Sequence, residues 1–264
     1  MHTIPTTQLQ PKLLPTMTRT RVVRAYLEEI RSECLRYLRN PGFLLPSLLF
    51  PAVFYTMFGI VLGGHRDPDA PRYLLAAYAT FGVMAPGLFG FGISLALERD
   101  NGLLTLKRAL PMPPLAYLLG KMAMAMLVGG AVVALLMALA IFAADMRLEP
   151  AQVVRLFLTD MLGTLPFCAM GLLLGTLVQG QAAPAVINLV YLPMAFLSGL
   201  WLPLSMLPQA LQRLAPIWPS YHLNQLSLAA LGFDTGPAWP RVLVLCGFTL
   251  VFLALAARRL RRSG

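Results

Sequence analysis

Residue types that carry out enzymatic chemistry are present in this sequence, but their spacings do not match known catalytic motifs. The three histidines, His2, His65 and His222, are far apart and form no HExxH pair or Ser-His-Asp arrangement. Gly120–Lys121 has the glycine–lysine step of a phosphate-binding loop, but without its upstream glycine or its hydroxyl residue. There is also no GxSxG nucleophile motif. We therefore expect this chain to have no catalytic residues.

The acidic residues and the cysteines lead to the same expectation. Glu28–Glu29 is a carboxylate pair of the kind an intramembrane protease could use, but no histidine lies near it, so salt pairing is the better interpretation. Cys34, Cys168 and Cys246 are widely scattered and have no CxxC or metal-ligand spacing. We expect neither a metal nor a cofactor on this chain. If the protein performs energised work, ATP and Mg²⁺ must be handled by another subunit.

The composition is that of an integral membrane protein. Hydrophobic residues make up 58% of the chain and charged residues only 12%, far from the average of soluble proteins. Six apolar segments have about the 20 residues that a membrane-spanning helix needs: Gly42–Gly63, Tyr73–Ala96, Met122–Ala144, Leu156–Val178, Ala182–Pro203 and Val242–Ala257. The sequence therefore predicts an all-α transmembrane domain over residues 21–264, preceded by a mobile tail at residues 1–20.

The basic residues predict the orientation in the membrane. The net charge of +10 comes from Lys and Arg residues that cluster between the apolar segments, which is typical of membrane flanks and does not indicate nucleic-acid binding. With six spans and a cytosolic N-terminus, the inner flanks hold fifteen Lys and Arg residues and the outer loops hold six. The positive-inside rule then places both termini in the cytoplasm of a multi-pass protein, which we expect in the cell (inner) membrane.

An amphipathic helix is predicted just before the first span, from Arg21 to Arg39. Its apolar residues recur at steps of three and four, and its other face carries charged residues that include Arg24, Glu28, Arg31 and Arg36. Such a helix lies in the cytoplasmic membrane interface, with its charges toward water or a partner. The alternative is an ordinary positively charged anchor.

The segment Leu97–Lys121, between the second and third spans, combines a Leu-rich run with basic residues. A short amphipathic helix is predicted between Gly102 and the Pro111-Met-Pro113-Pro114 break, lying at the membrane surface. It could receive a push from a cytosolic partner, or it could be a solvated basic turn. Position and charge alone leave both interpretations open.

Within the predicted spans, a few residues stand out. Asp160 is the one acid well inside an apolar segment, and it could serve a pathway or form a structural ion pair with Arg155. Gly59–Gly63 and Gly171–Gly175 have the GxxxG spacing that permits close helix contact, within one chain or across a dimer.

The connection before the last span, Leu202 to Pro240, is rich in proline and aromatic residues. It is too apolar for a free loop and too interrupted to span, which predicts short re-entrant or interfacial helices. These would form an outer cap that includes Pro203, Pro208 and Tyr221.

Two stretches resemble the ABC-2 type permeases, the membrane subunits of ABC exporters. The first, Glu98–Gly102 followed by Leu106 and by Pro111–Lys121, resembles the E-R-E-x-G-T-L-E…P…G-K signature after the second span, although Leu103 and Thr105 depart from it. The second, Ser198–Pro208 followed by Leu214–Pro216 and Pro219–Tyr221, resembles the family's S-G-x-x-x-P-x-x-x-L-P…P-x-x-Y segment.

This resemblance implies a half-transporter that pairs with a second permease copy, identical or similar, and with two cytosolic ATPase subunits. It also implies that Leu97–Pro111 is a coupling helix seated in a groove of the ATPase, beside the Arg21–Arg39 helix. The residues expected to carry the coupling are Glu98, Arg99, Asp100, Gly102, Leu106 and Lys107.

Export of a hydrophobic or amphipathic substrate, such as a drug, a lipid or a lipid-linked molecule, is the function that the resemblance favours. A different class, an autonomous ion-coupled secondary transporter or channel, would predict paired intramembrane charges and inverted repeats. The sequence has one clear intramembrane acid and no convincing repeat.

Overall fold

The computed structural model describes residues 19–63, 69–103, 106 and 114–262, and this part of the chain is helical with no strand. The α-helices are α1 (Arg19–Leu38), α2 (Pro41–Phe54), α3 (Ala70–Ala85), α4 (Gly92–Asp100), α5 (Pro114–Phe142), α6 (Pro150–Leu177), α7 (Ala183–Leu197), α8 (Gln209–Leu214), α9 (Pro219–Ala230) and α10 (Trp239–Arg262). π-Helices Tyr55–Gly63 and Pro86–Phe91 continue α2 and α3, and 3₁₀ turns lie at Leu204–Met206 and Ala215–Ile217. The predicted all-α class is confirmed. The predicted tail at residues 1–20 lies almost wholly outside the described residues.

Five continuous helices among the described residues are long and apolar enough to cross a membrane: Pro41–Gly63, Ala70–Asp100, Ala116–Phe142, Pro150–Leu177 and Trp239–Arg259. They correspond to five of the six predicted spans. The other predicted span, Ala182–Pro203, contains α7, which has only 15 residues. At 1.5 Å per residue α7 is about 22 Å long, shorter than the roughly 30 Å hydrocarbon core. The chain leaves the helix at Ser198 because Gly199 adopts a left-handed φ of +76°.

The second span is the centre of the bundle. In its most apolar stretch of 18 residues, 78% of the residues are buried by the rest of the chain, compared with 22% in the same length of the first span and 11% in the last. It passes from α3 through the π-helix that begins at Pro86 into α4. Proline has no N–H for the regular hydrogen-bond ladder, so a local change of helix type at this position is expected.

Close backbone contact between the second span and α6 depends on glycines. A Cβ on Gly171 would lie 2.5 Å from the Gly87 carbonyl oxygen, and one on Gly175 would lie 2.6 Å from that of Gly92. Neither glycine could carry a side chain without moving the backbone opposite. The predicted close contact at Gly171–Gly175 is therefore confirmed within the chain.

The region between α7 and α10 consists of short helices. Their predicted re-entrant or interfacial position in the membrane stays a prediction. Pro203 and Pro208 precede the first 3₁₀ turn and α8, and Tyr221 lies half-buried in the first turn of α9. α9 packs against α3 and α6 through residues that include the fully buried Leu223, Asn224 and Ser227. Whether this region caps an outer opening stays a prediction.

Candidate functional site

A buried cluster of charged residues joins three helices at one end of the bundle. The Lys121 side chain is fully buried, and its Nζ donates hydrogen bonds to Glu33 Oε2 at 3.0 Å, to Glu98 Oε1 at 3.0 Å and to Ser94 Oγ at 2.8 Å. Tyr117 donates its hydroxyl hydrogen to Glu98 Oε2 at 2.7 Å. Both oxygens of Glu98 are therefore satisfied in a site with almost no access to water.

Arg36 completes the cluster at its exposed edge. Its guanidinium contacts Glu98 Oε1 and lies 3.7 Å from Glu33 Oε1, while 49% of the Arg36 side chain stays exposed. Burial lowers the pKa of Arg36, but the nearby carboxylates of Glu98 and Glu33 raise it by more. The two acids and the two bases balance in charge. Such balance matters because an unpaired buried charge is very costly.

Helical spacing explains how each helix brings its side chains to this site. α1 supplies Glu33 and Arg36, which are three residues apart. α4 supplies Ser94 and Glu98, and α5 supplies Tyr117 and Lys121, in each case four residues apart. Residues at these spacings share one helix face, so three short stretches converge on one point. The cluster thereby fixes α1 against the ends of the second and third spans.

Arg99 and Asp100 connect this end of the bundle to α6. Arg99 Nη1 donates to the carbonyl oxygens of Gly175 at 3.2 Å and Thr176 at 2.7 Å, and its Nη2 donates to that of Val178 at 2.8 Å. These carbonyls belong to the C-terminal end of α6, where helices lack backbone donors and favour cations. The Gly180 N–H donates to Asp100 Oδ2 at 2.6 Å. Arg99 and Asp100, which are adjacent in the chain, thus hold the end of α6 and the loop that follows it.

The predicted coupling residues therefore occupy different environments. Glu98 is only 2% exposed and lies inside the cluster, whereas Leu106 is 65% exposed. Gly102 has a φ of +72°, a left-handed conformation that glycine adopts without strain, and no atom of the described residues lies within 4 Å of the position of a Cβ. Lys107 and most of the predicted helix between Gly102 and Pro111 lie outside the described residues.

The predicted interface helix coincides with α1 to within two residues at its start and one at its end. Arg24 is exposed, and Glu28 pairs with Arg31 at 3.9 Å rather than with Arg24. Val23 and Leu27 remain exposed at 57% and 61%, which leaves an apolar strip on α1 that the described chain does not cover. This strip is suited to a membrane interface.

The sequence analysis did not identify three residues of the cluster, Glu33, Ser94 and Tyr117. Glu33 lies three residues after Ile30 and one turn before Tyr37, at the edge of the apolar stripe of α1. An acid at such a position is compatible with water or with a buried cation, so the pattern alone did not single Glu33 out. Its partner Lys121 is 88 positions away, so the sequence offers no local indication of which cation that is.

At the opposite end of the bundle, Asp160 is fully buried among hydroxyl groups. Its Oδ1 accepts a hydrogen bond from Ser227 Oγ at 2.9 Å and a longer one from Thr80 Oγ1 at 3.4 Å. The described residues show no ion pair between Arg155 and Asp160; the Arg155 Nε donates to the Ala151 carbonyl oxygen instead. Asp160 therefore ties α6 to α3 and α9 through hydroxyl groups instead of the ion pair suggested by the sequence.

An aromatic groove lies between α2, the second span and α7. Its volume is about 250 Å³, and its lining includes Phe50, Phe81, Phe89 and Tyr191, with Asn188 as a polar member. The Tyr191 hydroxyl donates to the Phe81 carbonyl oxygen at 3.3 Å, which fixes one wall of the groove. Aromatic walls with few polar groups suit an apolar or amphipathic ligand.

These features define a multi-pass helical membrane protein with a buried ion cluster at one end of its bundle and an aromatic groove in its side. The family model of the ABC-2 type transporter matches residues 26–231, and the chain belongs to this family. A relative in Bacillus subtilis (strain 168), named "Putative transport permease YvfS", is 29% identical over 233 residues, covering 85% of this chain and 92% of the relative. Members of the family are transport subunits that usually work with ABC ATPase partners.

Proposed function

We propose that this protein is the permease subunit of an ATP-driven ABC exporter, with ATP bound and hydrolysed on separate cytosolic subunits. The observation that carries the proposal is the ion cluster of Glu33, Arg36, Glu98 and Lys121, which lies directly beside the segment that begins at Gly102. A force applied to that segment reaches α4 first. The cluster then passes it to α1 and α5, because the three helices share the same buried charges.

Transmission to the rest of the bundle goes through Arg99. A movement of α4 displaces this guanidinium together with the end of α6, whose carbonyl oxygens it holds at Gly175, Thr176 and Val178. Arg259 of α10 donates to the same Thr176 oxygen at 3.3 Å, so the last span is also attached at this point. Rigid helices that tilt together in this way can alternate access to a pathway, as in other domain-closure mechanisms.

The aromatic groove supports a hydrophobic or amphipathic substrate. It opens beside the first span, whose residues Phe50, Val53 and Met57 are 43%, 57% and 51% exposed. We infer that the exposed face of the first span meets a second permease copy, identical or similar, and that the groove lies next to the shared pathway.

The proposed orientation places the ion cluster and both termini in the cytoplasm of a cell (inner) membrane protein. Exposed residues provide a direct test, since Leu106 and Phe142 lie at opposite ends of the bundle and are 65% and 86% exposed. We expect a cysteine at Leu106 to react with an impermeant maleimide only in inverted vesicles, and one at Phe142 only in right-side-out vesicles. The reverse pattern would exclude docking of a cytosolic ATPase on this segment.

The function itself is tested by purification of the tagged chain from its native membrane. We expect an ABC ATPase to co-purify, and the reconstituted complex to hydrolyse ATP faster when an apolar transport substrate is added. Candidate compounds can be screened by this stimulation. If no ATPase co-purifies and the chain alone moves a substrate along an ion gradient, the protein is a secondary transporter and the proposal is wrong.

A further inference from the structure

A second apolar groove runs along the outside of the bundle between α6, α9 and α10, at the end away from the ion cluster. Its volume is about 630 Å³, and it shares no lining residue with the aromatic groove. Its walls are formed mainly by leucines and small residues, among them Leu158 and Leu162 of α6, Leu226 of α9, and Val242 and Leu245 of α10. The groove therefore differs from the aromatic groove in both position and chemistry.

The length of this groove matches one leaflet of a membrane. Its lining on α6 extends from Arg155 to Pro166, and its lining on α10 extends from Val242 to Thr249. The stretch on α6 corresponds to about 16 Å of helix, while half of the hydrocarbon core is roughly 15 Å. The groove thus begins near the end of both spans and stops near the middle of the bilayer.

Among the described residues that line the groove, Arg155 is the one that carries a charge, and it lies at the mouth. Its Nε donates to the Ala151 carbonyl oxygen at 3.1 Å, which leaves the two terminal amino groups of the guanidinium without a partner in the described part of the chain. The nearby Arg241 differs, because its guanidinium is bound to the carbonyl oxygens of Thr235, Gly236 and Pro237. Arg155 is therefore the base available to a ligand in this groove.

We propose that the groove binds an acyl chain of an anionic phospholipid, whose phosphate is held by Arg155. A guanidinium is well suited to phosphate because it can donate two parallel hydrogen bonds. The groove is long enough for an acyl chain that occupies one leaflet. The positive charge of Arg155 lies near the depth of the headgroups and has the opposite sign to an anionic headgroup. The bound lipid fills the space between α9 and α10 and is distinct from the transported molecule.

Cys246 allows this site to be tested directly, because it is an exposed cysteine in the groove lining. The half-buried Cys34 is replaced by serine, and Cys168 is buried and protected from labelling. The protein is placed in phosphatidylcholine vesicles without ATP. Quenching of a maleimide fluorophore on Cys246 by added brominated lipids then measures their contact with the groove. We expect brominated phosphatidylglycerol to compete for the site roughly fivefold better than brominated phosphatidylcholine.

Two variants and one control position complete the experiment. Arg155→Gln should abolish the preference for the anionic lipid, and Arg155→Lys should keep most of it. A cysteine at Leu250, which is 68% exposed on α10 but outside the groove, should show no preference when Cys246 is replaced by serine. Equal quenching by both lipids at Cys246 would overturn the proposal. So would the absence of quenching by either lipid, which would mean that protein covers the groove.

Discussion

Lys121 and Glu98 form an ion pair at 3.0 Å with side chains that are 0% and 2% exposed, although they come from different helices. A buried pair of this kind adds little stability compared with apolar residues of similar size, but removing one partner is costly. It therefore specifies one arrangement of α4 and α5. Glu33 and Arg36 of α1 also contact this pair, Glu33 through Lys121 and Arg36 through Glu98, so the same pair also fixes α1.

The first prediction concerns this pair. Lys121→Met leaves the carboxylates of Glu33 and Glu98 buried with only the half-exposed Arg36 for compensation. We expect a loss of about 3–5 kcal/mol in the free energy of unfolding, measured by thermal or denaturant unfolding in detergent. The double variant Lys121→Met/Glu98→Gln should lose less than the sum of the two single variants, because the charges are removed together.

A matched control is the exposed pair between Glu28 and Arg31 on α1, whose side chains are 57% and 73% exposed. Arg31→Gln should change stability by less than about 1 kcal/mol, because solvent screens this pair. If Lys121→Met had an effect as small as that of Arg31→Gln, the cluster would not hold the helices together.

The second prediction concerns transmission through Arg99. Arg99→Ala removes three hydrogen bonds to the end of α6, so we expect faster amide hydrogen exchange at residues 175–180 and weaker stimulation of the partner ATPase by substrate. Asp100→Asn is the comparison, since its amide oxygen can still accept the hydrogen bond from the Gly180 N–H. Equal exchange in the Arg99→Ala variant and the unmodified protein would show that Arg99 does not stabilise the end of α6, and equal ATPase stimulation would show that it does not transmit movement.

The third prediction tests the backbone contact at Gly171. A methyl group at this position would lie 2.5 Å from the Gly87 carbonyl oxygen, so Gly171→Ala should force the second span and α6 apart and cost about 1–3 kcal/mol. Gly247→Ala in α10 is the control, because no atom of the described residues lies within 4 Å of its added methyl group. That control should be neutral or stabilising, since alanine favours helix. Both effects are read from unfolding temperatures, and equal temperatures for the two variants would contradict the contact.

The fourth prediction distinguishes the two roles left open for Asp160. If it is structural, Asp160→Asn keeps an acceptor for Ser227 and should preserve stability and transport. Asp160→Leu should cost about 1–3 kcal/mol, because Ser227 and Thr80 lose their shared carboxylate acceptor. Ser227 then keeps only the Leu223 carbonyl oxygen, and Thr80 keeps only the Ser227 Oγ at 3.4 Å. A stable Asp160→Asn variant that no longer transports substrate would instead assign the carboxylate to the pathway.

Much of the fold could be predicted because a bilayer imposes length and composition on each span. The amphipathic pattern placed α1 to within two residues, and GxxxG spacing found the contact at Gly171 and Gly175. The prediction for Ala182–Pro203 was less accurate, because composition shows where a segment is apolar but not where Ser198 and Gly199 end the helix. The π-helix at Pro86 was also missed, since a proline indicates where the regular hydrogen bonding of a helix is interrupted and not which helix type replaces it.

The candidate site was only partly predictable for a different reason. The family resemblance predicts Glu98 as a coupling residue in a surface segment, whereas the structure buries it against Lys121. Lys121 is 23 positions from Glu98 and 88 positions from its other acidic partner, Glu33. The sequence placed Lys121 at the end of a loop, whereas it lies about two turns inside α5, which begins at Pro114. A charged residue at an apolar boundary is equally compatible with solvent and with a distant partner, and only the fold decides between them.

The most direct test of the central claim is cross-linking from the segment after Gly102 to the partner ATPase. Leu106→Cys, in a background without the native exposed cysteines, is treated with a short bifunctional reagent in native membranes, with Phe142→Cys as the control at the other end of the bundle. The account predicts that Leu106→Cys, but not Phe142→Cys, becomes covalently joined to an ATPase subunit that binds ATP. An ATPase joined to neither position, or joined to Phe142→Cys instead, would contradict it.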